Sequence, residues 1–310
     1  MIDPADQHGG TADRFESFDL LDAPDGPRVG TWRRPEMLYH YTSGQGLLGM
    51  LHHQVFWASH VLHMNDRTEL RVAFDIAVSL LDTAGAVSYA AGRHGDLAEV
   101  IRRDLAAPPP SWGTERTPAV FVLSFTEQRD DLSQWRGYCS PGDGYCLGFR
   151  TDALAALALA AGWRMSVCDY AGAEGGAISL MMVDVFRRYA NGEWAGTEDP
   201  PTSAVRALAR DLLRLAPTLK HEAFSAEREW RLISPVVDGS SRDIHFRPGR
   251  SSLVPYVELP FSGVDPGPLV DVTVGPGPNP DLAHQAVIGA IAQTGRPVTS
   301  STSEIPYRAW

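Results

Sequence analysis

Apolar residues return at two different intervals along this chain, and the interval changes mark its elements. Leu70, Ala73, Ile76, Ala77, Leu80 and Leu81 recur at helical spacing and predict a strong amphipathic helix. Asn65 stands where a cap is needed, and Asp66 and Glu69 suit the first turn of the helix dipole. Leu97, Val100, Ile101 and Leu105 predict a further helix that stops at Pro108-Pro109-Pro110. Helices are also predicted behind Ser43, through Leu154 and Leu157, over 178–189 and 203–215, and over 282–292. Runs of period two predict strands at 37–42, 55–58, 119–126, 145–149, 165–170, 227–237, 244–247, 254–259 and 270–274, with a last one near Val298 and 303–306. Asp131 starts a short helical turn carrying Gln134, Trp135 and Tyr138, and Asn191–Pro201 reads as a loop.

The order of these elements lacks a steady βαβ alternation. It predicts an α+β fold with a mixed, largely antiparallel sheet. Residues 1–35, rich in Asp, Gly and Pro, read as an irregular tail. Residues 36–310 read as one α+β domain with a helical insertion at about 151–216. A chain of 310 residues can bury a sizeable core, and its 44% hydrophobic and 21% charged shares are those of a globular protein.

Charge narrows the function classes. A net charge of −11 argues against bulk nucleic-acid or anionic-membrane binding, although Arg242, Arg247 and Arg250 form a small basic cluster. No apolar run approaches the roughly 20 residues of a membrane helix. Cys139, Cys146 and Cys168 show neither CxxC spacing nor an even count, which fits a reducing compartment and predicts a cytoplasmic protein. Five histidines fall between His40 and His63, but no zinc-ligand spacing accompanies them, so no metal is expected. P-loop, GxGxxG and GxSxG motifs are absent.

Three stretches carry candidate chemistry. In Leu38-Tyr39-His40-Tyr41-Thr42, strand alternation points Tyr39 and Tyr41 one way and Leu38, His40 and Thr42 the other. Ser124 and Thr126 share a face of an otherwise core-like strand, so their hydroxyls need either local backbone partners or a ligand. Glu227, Glu229 and Arg231 alternate, as a carboxylate dyad or as the wet face of a sheet would. Trp135 and Tyr138, three residues apart, share a helical face that either anchors a loop or lines a site.

These blocks resemble a family. Tyr39-His40-Tyr41-Thr42, Trp57-Ala58-Ser59, Asn65-Asp66, Ser124-Phe125-Thr126, Asp131-Leu132 with Trp135 and Tyr138, Lys220-His221 with Phe224, Glu227, Glu229, Trp230 and Arg231, and Val274-Gly275-Pro276 look like the bacterial domain-of-unknown-function family 2971. More remotely, a strand-borne His, a Ser/Thr strand and a late Glu-x-Glu, in that order, resemble the ADP-ribosyltransferase superfamily. That resemblance implies a split sheet and an NAD-consuming enzyme, an ADP-ribosyltransferase or NAD glycohydrolase, in the setting of a toxin or defence effector. It implies NAD as substrate, His40 on a ribose, Tyr39 or Tyr41 near the nicotinamide, Ser124 and Thr126 as the middle motif, and Glu229 as the catalytic carboxylate assisted by Glu227. Thr42, Trp135 and Arg231 complete the expected binding set. The alternative is a non-catalytic nucleotide-binding sensor or interaction module.

Overall fold

A computed structural model describes residues 34–64, 69–106, 118–140, 142–170, 175–249, 252–264 and 267–307. The predicted tail over 1–35 lies almost entirely outside these residues, as do the Asn65 cap, Asp66 and the Pro108–Pro110 stop. In chain order the elements are β1 (Met37–Thr42), α1 (Gly44–His53), β2 (Val55–His60), α2 (Glu69–Leu80), α3 (Ala86–Arg93), α4 (Gly95–Ala106), β3 (Pro118–Ala119), β4 (Phe121–Thr126), α5 (Leu132–Tyr138), β5 (Tyr145–Arg150), α6 (Thr151–Ala160) and β6 (Arg164–Val167). There follow α7 (Gly175–Ala190), α8 (Pro200–Leu215), β7 (Glu229–Ile233), β8 (Val237–Asp238), β9 (His245–Pro248), β10 (Leu253–Pro260), β11 (Leu269–Val274), α9 (Pro280–Thr294) and β12 (Thr299–Thr302).

The fold is α+β, as the pattern predicts. Ten strands form one mixed sheet, antiparallel except where β11 meets β12. Its path runs β12-β11-β5-β1-β4-β2-β10-β9, with β7 and β6 added outside β4. The hub is β4. Along one edge it pairs with β7 over its length, from Val122↔Ile233 to Thr126↔Glu229. Its other edge is shared: β1 holds it only at Tyr39↔Thr126, and β2 only at Ser59↔Val122 and His60↔Phe121. The sheet therefore forks at β4, and β1 and β2 are its two prongs.

Alternation along β4 sends its side chains into two different cores. Phe121, Leu123 and Phe125 face a cluster with Leu38, Phe56, Phe149, Leu154, Trp230 and Val287, which α1, α6 and α9 cover. Val122 and Ile233 face a second cluster built by α2, α3, α4, α7 and α8. The segment 151–216 is thus divided between both faces and the sheet: α6 joins the first cluster, β6 pairs with β7, and α7 and α8 join the second beside α2 and α4.

Three strands, β4, β6 and β7, are shorter than alternation predicts: β6 ends at Val167 rather than at residue 170, and the closing strand β12 does not extend over 303–306. The run 119–126 breaks at Val120, whose carbonyl accepts from Val61 N–H (3.0 Å). The run 227–237 begins only at Glu229, because Glu222–Glu227 coil into 3₁₀ turns and Arg228 sits at φ 43°, in the left-handed region. The helix α3 has no counterpart in the sequence reading. Only Val87 and Ala91 of its eight residues are buried, too few to set a period.

At the end of β11 the turn Val274-Gly275-Pro276 is pressed against α5. A Cβ on Gly275 would stand 2.7 Å from the Trp135 ring and 2.9 Å from the Gly144 carbonyl, which the Gly275 N–H itself bonds at 2.8 Å. Neither neighbour is a flexible side-chain end. Gly275→Ala is therefore expected to destabilise the protein by roughly 1–3 kcal/mol as overpacking. Urea unfolding checks this, and an unchanged midpoint contradicts it.

Candidate functional site

Arg231 is the largest fully buried side chain of the structure. A guanidinium cannot shed its charge, so burial demands a counter-ion. Glu229, two residues earlier on the same face, provides it: Arg231 Nε donates to Oε1 (2.8 Å) and an Nη to Oε2 (3.1 Å). A second Arg231 Nη donates to the Pro217 carbonyl (2.8 Å). Lys220, also buried, donates to Oε2 of Glu229 and to Oε2 of Glu227. The Lys220 ammonium lies 5.1 Å from the centroid of Phe224. Tyr138 O–H donates to Glu227 (3.1 Å), and Tyr170 accepts from Glu229 N–H (2.7 Å). Two cations and two carboxylates thus form a neutral cluster, and the Lys220-to-Arg231 motif is its sequence trace.

Burial disfavours the Glu229 carboxylate, but Arg231 and Lys220 outweigh it and hold its pKa at about 2. Burial likewise opposes the charge on Lys220, and Glu229 and Glu227 overcome it and raise that pKa. The two glutamates differ in access. Glu229 is 3% exposed with both oxygens engaged, whereas the Glu227 side chain keeps 20% of its surface.

Strand register fixes where the other predicted residues lie. Tyr39, Thr126 and Glu229 form one row across β1, β4 and β7, and Ser124 and Arg231 form the next. All share the face of Val122 and Ile233. His40 lies on the opposite face with Leu38 and Leu147, its ring 5.9 Å from Phe125. The expectation that His40 and Glu229 meet across one ribose is therefore corrected, because an odd step in register separates their faces. His40 instead closes the fork. Where β1 leaves β4, the Ser124 carbonyl has no strand partner there, and His40 Nδ1–H donates to it at 2.8 Å. Burial and then Arg247 push the His40 pKa down, against the raising effect of that carbonyl bond.

Four further binding residues are taken up by packing. Arg231 is sealed in the ion cluster. Trp135 is 4% exposed, stacked edge-on against Tyr41 at 4.6 Å, and donates from Nε1 to Asp130 (2.7 Å). Tyr41 donates to the Gln128 carbonyl (3.0 Å) and accepts from Asp131 N–H (3.0 Å). The Thr42 carbonyl accepts from Cys139 Sγ at 3.6 Å at the end of β1.

The two hydroxyls of β4 part company. Thr126 donates to the Glu227 carbonyl (2.7 Å) and accepts from Gln128 N–H (3.2 Å). Ser124 Oγ is buried without a partner. On the same face, across β2, Arg247 reaches from β9 to Ser59 Oγ (2.9 Å), yet its Nε is buried without a partner and no described carboxylate pairs with it. Burial lowers the Arg247 pKa accordingly. Sequence reading grouped Arg247 only with a basic cluster; its burial depends on the β9–β10–β2 register, which no local pattern reveals. Among the described residues no group of three or more His, Cys, Asp or Glu is placed to hold a metal, and no helix is long and apolar enough to cross a membrane.

Because the folded pKa of Glu229 lies below the ordinary value of 4.5, its ionisation stabilises the fold above that value. That contribution, on the order of 3 kcal/mol, is lost as pH falls from about 5 to about 2. Unfolding free energy measured against pH is expected to drop through this window, and Glu229→Gln, itself less stable by roughly 3–5 kcal/mol, flattens the drop. An equally steep acid drop in the variant contradicts the assignment.

Residues 134–232 match the family described as Protein of unknown function (DUF2971), a stretch that runs from α5 through the Lys220–Arg231 cluster to β7. No curated protein and no solved structure matches the chain.

Proposed function

We propose that the protein binds NAD, or a related nucleotide, on the Ser124 face of the sheet fork and cleaves the bond between nicotinamide and ribose. One observation carries this reading: a buried hydroxyl without a partner, Ser124 Oγ, and a buried guanidinium nitrogen without a partner, Arg247 Nε, on one face beside the parting of β1 and β2. Buried polar groups are nearly always satisfied, and a ligand is one way to satisfy them. The residue types fit a nucleotide: Arg247 offers charge-assisted donors to phosphate oxygens, and Ser124 and Ser59 offer hydroxyls to a ribose. The strands carrying the three motifs of the ADP-ribosyltransferase-like order, β1, β4 and β7, lie side by side, which supports the same reading.

In this scheme the two glutamates exchange the roles the sequence gives them. Glu229 is a positioning residue that balances Arg231 and Lys220. Glu227 keeps an accessible edge above Thr126 and is the carboxylate that reaches substrate. As the C1′–N bond breaks, its electron pair leaves with the nicotinamide nitrogen and positive charge grows on the ribose. The Glu227 carboxylate stabilises that charge. Water or an acceptor hydroxyl then bonds to C1′ and releases its proton. The neutral sum of the Lys220 cluster favours a second reading, a nucleotide-binding module without turnover, because Lys220 partly cancels the charge on Glu227.

Incubation with NAD decides between them. The enzyme reading expects nicotinamide release, lowered about 100-fold or more in Glu227→Gln at a temperature where that variant remains folded. The binding reading expects NAD to raise the melting temperature with no nicotinamide formed. Arg247→Ala is expected to abolish the NAD-dependent rise in either case. Neither release nor a thermal shift with wild-type protein overturns both readings.

A further inference from the structure

The face of the sheet that carries Ser124 also carries a row of aromatic rings. Trp57 on β2 packs against Tyr256 on β10, with centroids 4.8 Å apart and rings tilted by 34°. Tyr256 packs in turn against His245 on β9, at 5.5 Å and 37°. Register puts all three on one face: Tyr256 pairs with both Ser59 and His245, and Trp57 stands two residues from Ser59 on β2. Building on the reading of the fork as an NAD site, we propose that the open end of this row, Trp57, is the subsite for the adenine ring. It makes the fork select a dinucleotide over a nicotinamide mononucleotide.

Position favours this role. β2 pairs with β4 only at Ser59↔Val122 and His60↔Phe121. Counted on in that register, Trp57 falls level with Ser124, where the two strands have parted. The indole therefore borders the parting, two residues from the Ser59 hydroxyl that Arg247 reaches at 2.9 Å. Across the sheet the groups follow in order: Glu227 above Thr126, the unsatisfied Ser124 hydroxyl, Arg247 with Ser59, then the rings. A dinucleotide has the same order, from the reacting ribose through the pyrophosphate to the second base. The path β7-β4-β2-β10 takes three strand steps. At some 4.8 Å each they cover about 14 Å, a span for a dinucleotide rather than for one nucleoside.

The rings also leave the right surface open. Tyr256, between its two neighbours, is 9% exposed, whereas Trp57, though packed on Tyr256, keeps 43% of its surface. A diagonal aromatic pair across two strands is accounted for by sheet stability alone. Sheet stability does not account for an open indole beside Arg247, whose Nε is buried without a partner. A flat aromatic face is all that base stacking needs, and a guanidinium beside it suits the phosphates that precede the base. Glu258 points to the kind of base. It pairs directly with Trp57 across β2 and β10, on the same face, and is exposed. A carboxylate is an acceptor only, and it suits the exocyclic amine that adenine carries at its edge.

Titration calorimetry of the full chain with two ligands tests the subsite: NAD and nicotinamide mononucleotide, both as carba analogues. In these a methylene replaces the ring oxygen of the nicotinamide ribose, so the ligand is not cleaved during the titration. The dinucleotide is expected to bind more tightly than the mononucleotide by about tenfold or more, the worth of one stacked base. Trp57→Leu keeps an apolar side chain on the strand but removes the flat ring. It is expected to abolish that preference and leave mononucleotide affinity unchanged, which also reports that the fork is intact. Trp57→Phe is expected to retain most of the preference. Arg247→Ala is expected to weaken both ligands, since both carry phosphate. If neither ligand binds wild-type protein at millimolar concentration, the fork reading falls and the subsite with it. If carba-NAD binds, is weakened by Arg247→Ala and is indifferent to Trp57→Leu, the subsite alone is overturned and the fork reading stands. Equal weakening of both ligands by Trp57→Leu overturns the subsite too, because the indole then serves the part they share.

Discussion

The charge of Arg231 is the constraint around which the centre of this protein is arranged. Its strand is flanked on both sides, Ser124 on β4 and Ser166 on β6, so water cannot reach it from either edge. Glu229 must then be ionised, and Glu229 in turn draws Lys220 out of water, which draws Glu227. Each ion is tolerable only because the next is present, and removal of one partner costs more than the pair contributes. The chain pays for this with geometry. Lys220 follows α8 through a 3₁₀ turn, and residues 222–227 coil back so that Glu227 can meet it before the left-handed Arg228 starts the strand. The cluster thus ties the end of the helical layer to the centre of the sheet.

The fork is the second consequence of a crowded hub. With β7 occupying one edge of β4, the other edge is divided between two prongs that diverge. Divergence exposes backbone groups, and His40 repairs one of them by donating to the Ser124 carbonyl. That repair uses the imidazole on the back face and leaves the Ser124 hydroxyl on the front face unsatisfied. A fold that repairs its backbone yet leaves this side chain and Arg247 Nε unpaired has left polarity at one place, beside the parting.

Much of this was legible in the sequence and some of it was not. Helical periods gave α2, α4, α7, α8 and α9, and alternation gave the faces of β1 correctly, with Tyr39 and Tyr41 opposite His40. Alternation also put Glu229 and Arg231 together. It failed at Glu227, because a left-handed residue at 228 breaks the period without any glycine to announce it. It could not relate His40 to Glu229, since facing depends on which residues of β1 and β4 pair, and that register is a long-range fact. Arg247 is the clearest case. Nothing in Ile244–Arg247 distinguishes a surface arginine from one whose Nε is buried against a neighbouring strand.

The Glu229 cluster and the groups beside the fork differ in their physics. At Glu229 every charge is matched, so the cluster fixes structure and its members have little free energy left to give a ligand. Beside the fork, Ser124 Oγ and Arg247 Nε are buried without partners, so that the protein alone does not satisfy them. Sites that bind are of the second kind: their groups are held in place by the scaffold but completed by something else. By that criterion Ser124 and Arg247 differ from Glu229, even though Ser124 pairs directly with Arg231 across the strands. Proximity to the most conspicuous motif is therefore a weaker guide to function here than the state of satisfaction of each buried group.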